Sequence, residues 1–531
     1  MASRAGVLAV SRKGMVTSPH ATATEAGLQV LREGGNAVEA ALAIGMCLAV
    51  SYPHFTGLGG DAFMILCDGA GRVTTLSGIG QAATLCPPND GRPLPVRGPG
   101  SMLTSAGTVD TWGQAWDISR KELNGKKSWA QLIAPAQALA EDGFALSPSQ
   151  SFWIDFRQGE MAQLPGVRRL FSDNGRWLPA GSRLRQPALG RSLALLARNG
   201  PRDFYEGELA RALVQGLAQA GSPLSAADLA ATRARREAPL RLAYRGGELL
   251  AHQPPTQGLT TLQIMGTLAG FELGAIPHGS ADYYHLLVEA VKRAFIDRNR
   301  YLADPDHAPL PLPVLLSAQH LRGMAETIDM HRALPWPHPW QHGDTVCIAA
   351  ADNMGNAVSM LQTLYFDWGS GVEAGDTGIL WHNRGAAFST DPRSPNCLAA
   401  GKRPFHTLNP GMYLKQGKPR LLYGTQGADG QPQTLAAVLT RLIDHGMDPL
   451  SALASPRFLL GQTFSDPRHS LKLEQDAGAE VFEELQRRGH AIAPIPAQSP
   501  LAGHPGVIAI DEQGGFSGAH DPRSDGMAMG V

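Results

Sequence analysis

Thr345 follows Gly343-Asp344 and heads the apolar run Val346-Cys347-Ile348-Ala349-Ala350-Ala351, a pattern that predicts a strand with a hydroxyl at its first position. Scission of the Asp344–Thr345 bond would give Thr345 a free α-amino group beside its own hydroxyl, so that one residue supplies both nucleophile and general base. A chain built this way is a proenzyme. Asp352-Asn353-Met354-Gly355-Asn356 reads as a turn, and Ala357 to Thr363 as the returning strand. The hairpin carries Thr363 back beside Thr345, where a second hydroxyl can hold the nucleophile's oxygen and relay a proton. Tyr423-Gly424-Thr425-Gln426-Gly427-Ala428-Asp429-Gly430 then forms a small-residue loop whose backbone N–H groups can approach a developing alkoxide. An ordinary β-hairpin followed by a glycine loop meets the same description, and the residues alone leave both readings open.

The elements that must position these groups begin near the N-terminus. His20 to Arg32 reads as a helix stopped by Gly34-Gly35, and Ala37 to Val50 as a second, nearly all-apolar helix belonging in a core against a sheet. Asn36 and Glu39 have capping-box spacing. Gly57-Leu58-Gly59-Gly60-Asp61 leads into the apolar strand Ala62 to Cys67. It lacks the lysine of a phosphate loop and precedes a strand, so it is not read as a nucleotide site. Residues 105 to 300 read as mostly helical, with helices at Trp129 to Glu141, Pro187 to Asn199 and Asp282 to Tyr301. In the last, Tyr284, Leu287, Val288, Val291 and Phe295 mark a core face. Residues 304 to 342 are punctuated by prolines and read as a mobile connector. His331, His338 and His342 there lack carboxylate or cysteine company, and no metal site is read from them.

Bulk properties narrow the partners. Lys plus Arg number 46 against 47 for Asp plus Glu, a formal net charge of -1, which gives no electrostatic reason to expect nucleic acid or an anionic membrane. Hydrophobic residues at 43% and charged residues at 18% exclude wholesale disorder and point to a small-molecule substrate for a globular protein. No apolar stretch has the length of a membrane span or of a secretory signal core, and the five scattered cysteines lack CxxC spacing. The expectation is a cytoplasmic protein with reduced, buried thiols, compatible with a homo-oligomer.

Thr345, Asp352 and Gly355-Asn356-Ala357-Val358-Ser359 resemble the small-subunit start of the γ-glutamyltranspeptidase family of N-terminal nucleophile (Ntn) hydrolases. Further markers follow in order: Glu25-Ala26-Gly27, Gly34-Gly35-Asn36-Ala37-Val38, Gly57-Leu58-Gly59-Gly60, Ala303-Asp304-Pro305-Asp306, Lys402-Arg403-Pro404 and Asp521-Pro522-Arg523-Ser524-Asp525-Gly526. The resemblance implies an α/β fold, the four-layer αββα sandwich. It also implies a large fragment 1–344 and a small fragment 345–531 that stay associated after cleavage between Asp344 and Thr345. Catalytic roles then fall to Thr345, Thr363 and the Gly427 and Ala428 N–H groups, with no cofactor and no metal.

The sequence departs from the γ-glutamyl pattern where the substrate's amino-acid end would bind. Leu85 stands where an arginine grips the α-carboxylate, and Ala387 where an aspartate takes the α-ammonium. Tyr365 replaces an asparagine, His406-Thr407 a serine pair and Arg384 a glutamine. The amino-acid clamp is gone, and Tyr365, Arg384, His406 and Thr407 become the expected substrate-binding set. Arg384 is placed to take a carboxylate nearer the nucleophile, and Arg92 or Arg97 remains open as a replacement for the charge missing at Leu85. The resemblance therefore favours a small carboxylate-bearing amide, best matched by oxamate in purine degradation. Glutaryl or cephalosporin acylase activity and true glutathione hydrolysis or transpeptidation are the alternatives, and a non-catalytic binding relic is the remote one.

Overall fold

The computed structural model describes residues 6–87, 90–336, 344–463 and 466–531. Two seven-stranded antiparallel sheets form its centre. In spatial order the first is Met527–Gly530, Gly14–Ser18, Asp344–Asp352, Ala357–Tyr365, Asp61–Cys67, Val73–Gly78 and Arg235–Glu237. The second is Ala9–Ser11, Phe516–His520, His504–Ile510, Lys418–Gln426, Gly411–Lys415, Gly247–Ala251 and Leu240–Tyr244. Each sheet contains strands from before and from after Thr345, so neither part of the chain owns a complete sheet.

Strand alternation separates three apolar layers. Val346, Ile348 and Ala350 point to the core shared with helices Ala21–Arg32, Ala37–Ser51 and Thr108–Glu122. Ala349 and Ala351 point the other way, meeting Met412, Leu414, Leu422 and Ile508 between the sheets. The second sheet turns Leu249, Tyr413, Tyr423 and Val507 to helices Gly258–Leu268, Ala281–Tyr301 and Gln431–Ile443. The αββα order is therefore visible in the side chains. It also explains why Ala37–Ser51 is apolar all round: every residue of that helix is buried, and its Asn36/Glu39 capping box is formed.

Three expectations need correction. The stretch 105–300 is not only helical, because Arg235–Glu237, Leu240–Tyr244 and Gly247–Ala251 are strands that extend both sheets. Most sit at sheet edges, where half of each strand faces water and the apolar signal is short. The described part of the connector is not loose: Leu312–Leu315 and Ala318–Glu326 are short helices, and Leu315, Leu321 and Met324 are buried against the second core. His338 and His342 lie outside the described residues. All five cysteines are free, but Cys86 and Cys397 are only partly buried. No helix among the described residues is long and apolar enough to cross a membrane.

Candidate active site

The hairpin Asp344–Asp352/Ala357–Tyr365 has one irregularity, at its open end. The register steps from Val346–Gln362 to Asp344–Tyr365, so Thr345 faces the Thr363–Leu364 step across a bulge. Thr363 pairs in turn with Asp61 on the neighbouring strand. Thr345 shares the parity of Ala349 and Ala351, and Asp61 that of Ile65 and Cys67, so both lie on the inter-sheet face. Thr345 is 1% exposed, and Thr363 and Asp61 are fully buried. Gly60 is required here because a Cβ on it would lie 2.0 Å from the Thr363 carbonyl oxygen, and one on Gly59 2.3 Å from that of Leu380. The glycine run before Asp61 thus serves close packing, in keeping with its rejection as a phosphate loop.

The second sheet contributes the turn that follows Lys418–Gln426. Gln431 opens the helix after this turn and donates from Nε2 to Thr345 Oγ1 at 3.4 Å. That contact brings the positive end of the helix dipole to the threonine. Gly427 has φ +129° and Ala428 φ +47°, consecutive left-handed residues of the kind that turn backbone amides toward an anion. Neither amide donates to a carbonyl or side chain among the described residues.

Arg384 closes the other side. Its guanidinium carbon lies 3.9 Å from the centre of the Tyr365 ring, and Tyr365 itself is held at φ +78° with its N–H on Thr363 Oγ1 at 2.8 Å. The guanidinium is fully buried, yet Nε, Nη1 and Nη2 make no hydrogen bond. Burial brings it down to about 10, against the opposing pull of Tyr365 and Asp61. Its nearest carboxylate is Asp61, 4.0 Å from Nε. Asp61 is engaged elsewhere: Oδ1 accepts the N–H groups of Gly80 at 3.0 Å and Gly107 at 3.1 Å, and Oδ2 accepts His406 Nε2–H at 3.0 Å. Burial raises the Asp61 pKa, but His382, His406 and Arg384 together outweigh it and hold the carboxyl at about 2. A buried cation with every donor unused has the means to receive an anion, whose arrival would offset part of its desolvation cost of several kcal/mol.

Of the expected substrate-binding set, Tyr365 and Arg384 stand together beside Thr363. His406 is different: its Nδ1 accepts the Leu408 N–H at 3.2 Å while Nε2–H serves Asp61, so both ring nitrogens are spent within the protein. Burial holds His406 neutral, at about 3. It braces Asp61 and has no ring nitrogen left for a substrate. Thr407 is buried, and its carbonyl accepts from Gln257 Nε2 at 2.9 Å. Asp344 pairs with Tyr365 through the backbone. Leu85 is 77% exposed and Ala387 is buried with Tyr365 and Phe366 in an apolar cluster. Arg92 is solvent-exposed on Asp90, and Arg97 is committed to Glu160 and Asp367, so neither offers a free cation in place of the one missing at Leu85.

Asp61, His382, Gln257 and Gln431 escaped the sequence reading. His382 Nε2 donates to the Ser105 carbonyl at 2.8 Å, leaving Nδ1 facing Asp61 Oδ2 at 3.6 Å. A charged residue heading an otherwise apolar strand was the available signal for Asp61.

The two facing sheets shared by the segments on either side of Thr345, the bulge at Thr345 and the turn at Gly427 make an Ntn-hydrolase arrangement, and the family model for gamma-glutamyltranspeptidase matches residues 23–531. The chain belongs to the γ-glutamyltranspeptidase family. It is 41% identical to the oxamate amidohydrolase proenzyme of Klebsiella pneumoniae, covering 98% of this chain and 99% of that one. It is 39% identical, over the same shares, to the glutathione hydrolase-like YwrD proenzyme of Bacillus subtilis. The crystal structure of cephalosporin acylase from Bacillus halodurans superposes with a TM-score of 0.90 at 30% identity, over 99% of this chain and 97% of that one. The fold is thus that of this family's Ntn hydrolases.

Among the described residues, His285, Glu289 and His490 group closely enough to suggest metal ligands. The donors do not suit a cation. Glu289 is paired with Lys292 at 2.7 Å and Arg293 at 2.8 Å, and His285 Nε2 donates to the Asp329 carbonyl, leaving Nδ1 to accept from His490 Nε2–H at 2.8 Å.

Buried neutral histidines should make this family member acid-sensitive. Burial lowers His252, His406 and His520 to about 3, and His20 and His504 to about 4. Unfolded histidines titrate near 6.5, so between pH 6.5 and 4 the unfolded chain binds more protons and stability falls as pH falls. Asp61, held at about 2 against about 3.9 in the unfolded chain, keeps its contribution down to about pH 5 and adds to the loss below that. Thermal melts should show Tm falling by on the order of 10 °C from pH 7.5 to 5. A flat profile would contradict the burial of neutral imidazoles.

Proposed function

We propose that this chain is a self-processing amidohydrolase that opens a small carboxylate-bearing amide through a Thr345 acyl-enzyme, with oxamate as the preferred substrate. In processing, Thr345 Oγ1 attacks the Asp344 carbonyl carbon, the C–N bond breaks in an N-to-O shift, and water hydrolyses the resulting ester. The products are fragments 1–344 and 345–531. Both contribute strands to each sheet, so the two parts remain one body.

In turnover, the new Thr345 α-amine, ordinarily near 7.7 to 8.0, takes the hydroxyl proton as the oxygen attacks the amide carbon. Gly427 and Ala428 N–H groups receive the oxyanion, and Thr363 Oγ1 holds the nucleophile. The α-ammonium passes its proton to the leaving nitrogen, ammonia departs, and water releases the acid. For oxamate the products are oxalate and ammonia.

The observation that carries the substrate class is the buried Arg384 guanidinium, stacked on Tyr365 with no hydrogen-bond acceptor for its donors. A carboxylate directly attached to the reacting carbonyl would occupy it at short reach from Thr345. The 41% identity to an oxamate amidohydrolase proenzyme supports this reading. Ala387, apolar where the family clamp needs an aspartate, also suits a glutaryl-type acyl chain, and the superposition on a cephalosporin acylase favours that as the second reading. Free thiols throughout support a reducing compartment such as the cytoplasm.

Ammonia release from oxamate, compared with turnover of glutaryl amide and γ-glutamyl anilide, tests the choice. Oxamate should show the highest kcat/KM; faster turnover of the γ-glutamyl compound would overturn the assignment.

A further inference from the structure

We propose that Gln257 and Arg298 act as positioning residues, a clamp from the N-terminal part of the chain that holds the Gly427–Gly430 turn in the shape that stabilises the transition state. The inference rests on that turn being the oxyanion donor.

A glycine at φ +129° followed by an alanine at φ +47° does not hold this shape by itself. The peptide that carries the Ala428 N–H is tied through its own carbonyl, Gly427 C=O accepting Gly430 N–H at 2.7 Å, and the peptide that follows is tied by Gln257 Nε2 on the Ala428 carbonyl at 2.7 Å, which holds Ala428 from its C-terminal side. Gln257 is fully buried and has no freedom to release it. Its backbone N–H donates to the His406 carbonyl at 3.0 Å, Nε2 also donates to Thr407 O, and Oε1 accepts Arg298 Nη1 at 3.3 Å. Arg298 Nη2 reaches Asp429 Oδ2 at 3.2 Å, the next residue of the turn. The guanidinium carbon stands 3.9 Å from the Phe295 ring centre and 5.8 Å from that of Phe405, which fixes its plane. Neither side chain bonds to Arg384 or Thr345. The clamp therefore bears on the charge that develops during reaction, and leaves the ground-state carboxylate alone.

The test uses the processed enzyme and phosphonoformate, a tetrahedral anion of oxamate's length whose carboxylate meets Arg384 while a phosphonate oxygen takes the place of the oxyanion at the turn. Oxalate is the planar comparison. Gln257→Met should lower kcat about 10- to 100-fold with KM changed less than about threefold. Phosphonoformate affinity should fall in parallel while oxalate affinity holds. Arg298→Lys, which keeps a charge for Asp429 but loses the planar fork, should fold even where Gln257→Met does not, and should show the same split at smaller size. Equal losses for phosphonoformate and oxalate, or a kcat loss without loss of phosphonoformate affinity, would overturn the clamp. A wild-type enzyme that hydrolyses oxamate yet binds phosphonoformate no better than oxalate would overturn the oxyanion reading beneath it.

Discussion

Thr345→Ala should remain a single uncut polypeptide and show no amide turnover, a loss of roughly 10⁴-fold or more in kcat. The substitution deletes the attacking oxygen for both processing and hydrolysis, and with the chain uncut no α-amine forms to act as base. Folding should survive it. Thr345 is buried but small, and removing Oγ1 leaves Gln431 Nε2 short of one acceptor at 3.4 Å, which costs about 1 kcal/mol. A Tm near that of the parent, measured beside the inactive gel band, separates lost chemistry from lost structure. Thr345→Ser keeps an oxygen in place and should process slowly to an active enzyme. An active Thr345→Ala protein would remove threonine from the mechanism.

Arg384→Met should raise KM for carboxylate-bearing amides about 10- to 150-fold, the equivalent of about 1.5 to 3 kcal/mol for a lost charge-assisted contact. Turnover of a neutral acyl amide should change far less, because nothing in it addresses the guanidinium. Stability faces two opposed effects. The variant relieves a fully desolvated cation that makes no hydrogen bond, but takes from Asp61 a positive charge 4.0 Å away. Asp61 keeps the N–H groups of Gly80 and Gly107 and the His406 imidazole, so the fold should hold. Arg384→Lys should fall between, retaining charge without the planar fork. Paired kcat and KM values on oxamate and on a neutral amide check this. Equal losses on both would mean that Arg384 shapes the site without binding the anion.

What could be read from the chain followed locality. The hairpin from Asp344 to Tyr365, the capping box at Asn36 and the core helix after it are patterns contained within a few residues, and each has a local physical cause. The second hydroxyl was legible for the same reason, since a tight turn fixes which residue returns beside Thr345. The anion site was legible only in part. Arg384 and Tyr365 stood out as departures from the γ-glutamyl pattern, but their stacking, and the lack of a hydrogen-bond acceptor for the guanidinium among the described residues, exist only after folding. Asp61 meets His406 across 345 positions, and Gln257 meets Ala428 across 171, distances over which no periodicity carries information. His406 was expected to touch substrate because it occupies a substrate-lining position in the family pattern. Its nitrogens proved to be consumed by Asp61 and the Leu408 amide. The strands Leu240–Tyr244 and Gly247–Ala251 were missed although Leu240, Leu242 and Tyr244 alternate as a strand requires, because each is only five residues long and lies in a stretch dominated by longer helical patterns.

Intact mass determination on the freshly purified wild-type protein, followed over time, tests the central claim most directly. The account predicts conversion of the 531-residue chain into two species cut once, between Asp344 and Thr345, with the smaller beginning Thr-Val-Cys-Ile and the two co-eluting under native conditions. A full-length mass that persists while amidase activity is present, or a cut at any other bond in the active enzyme, would contradict it.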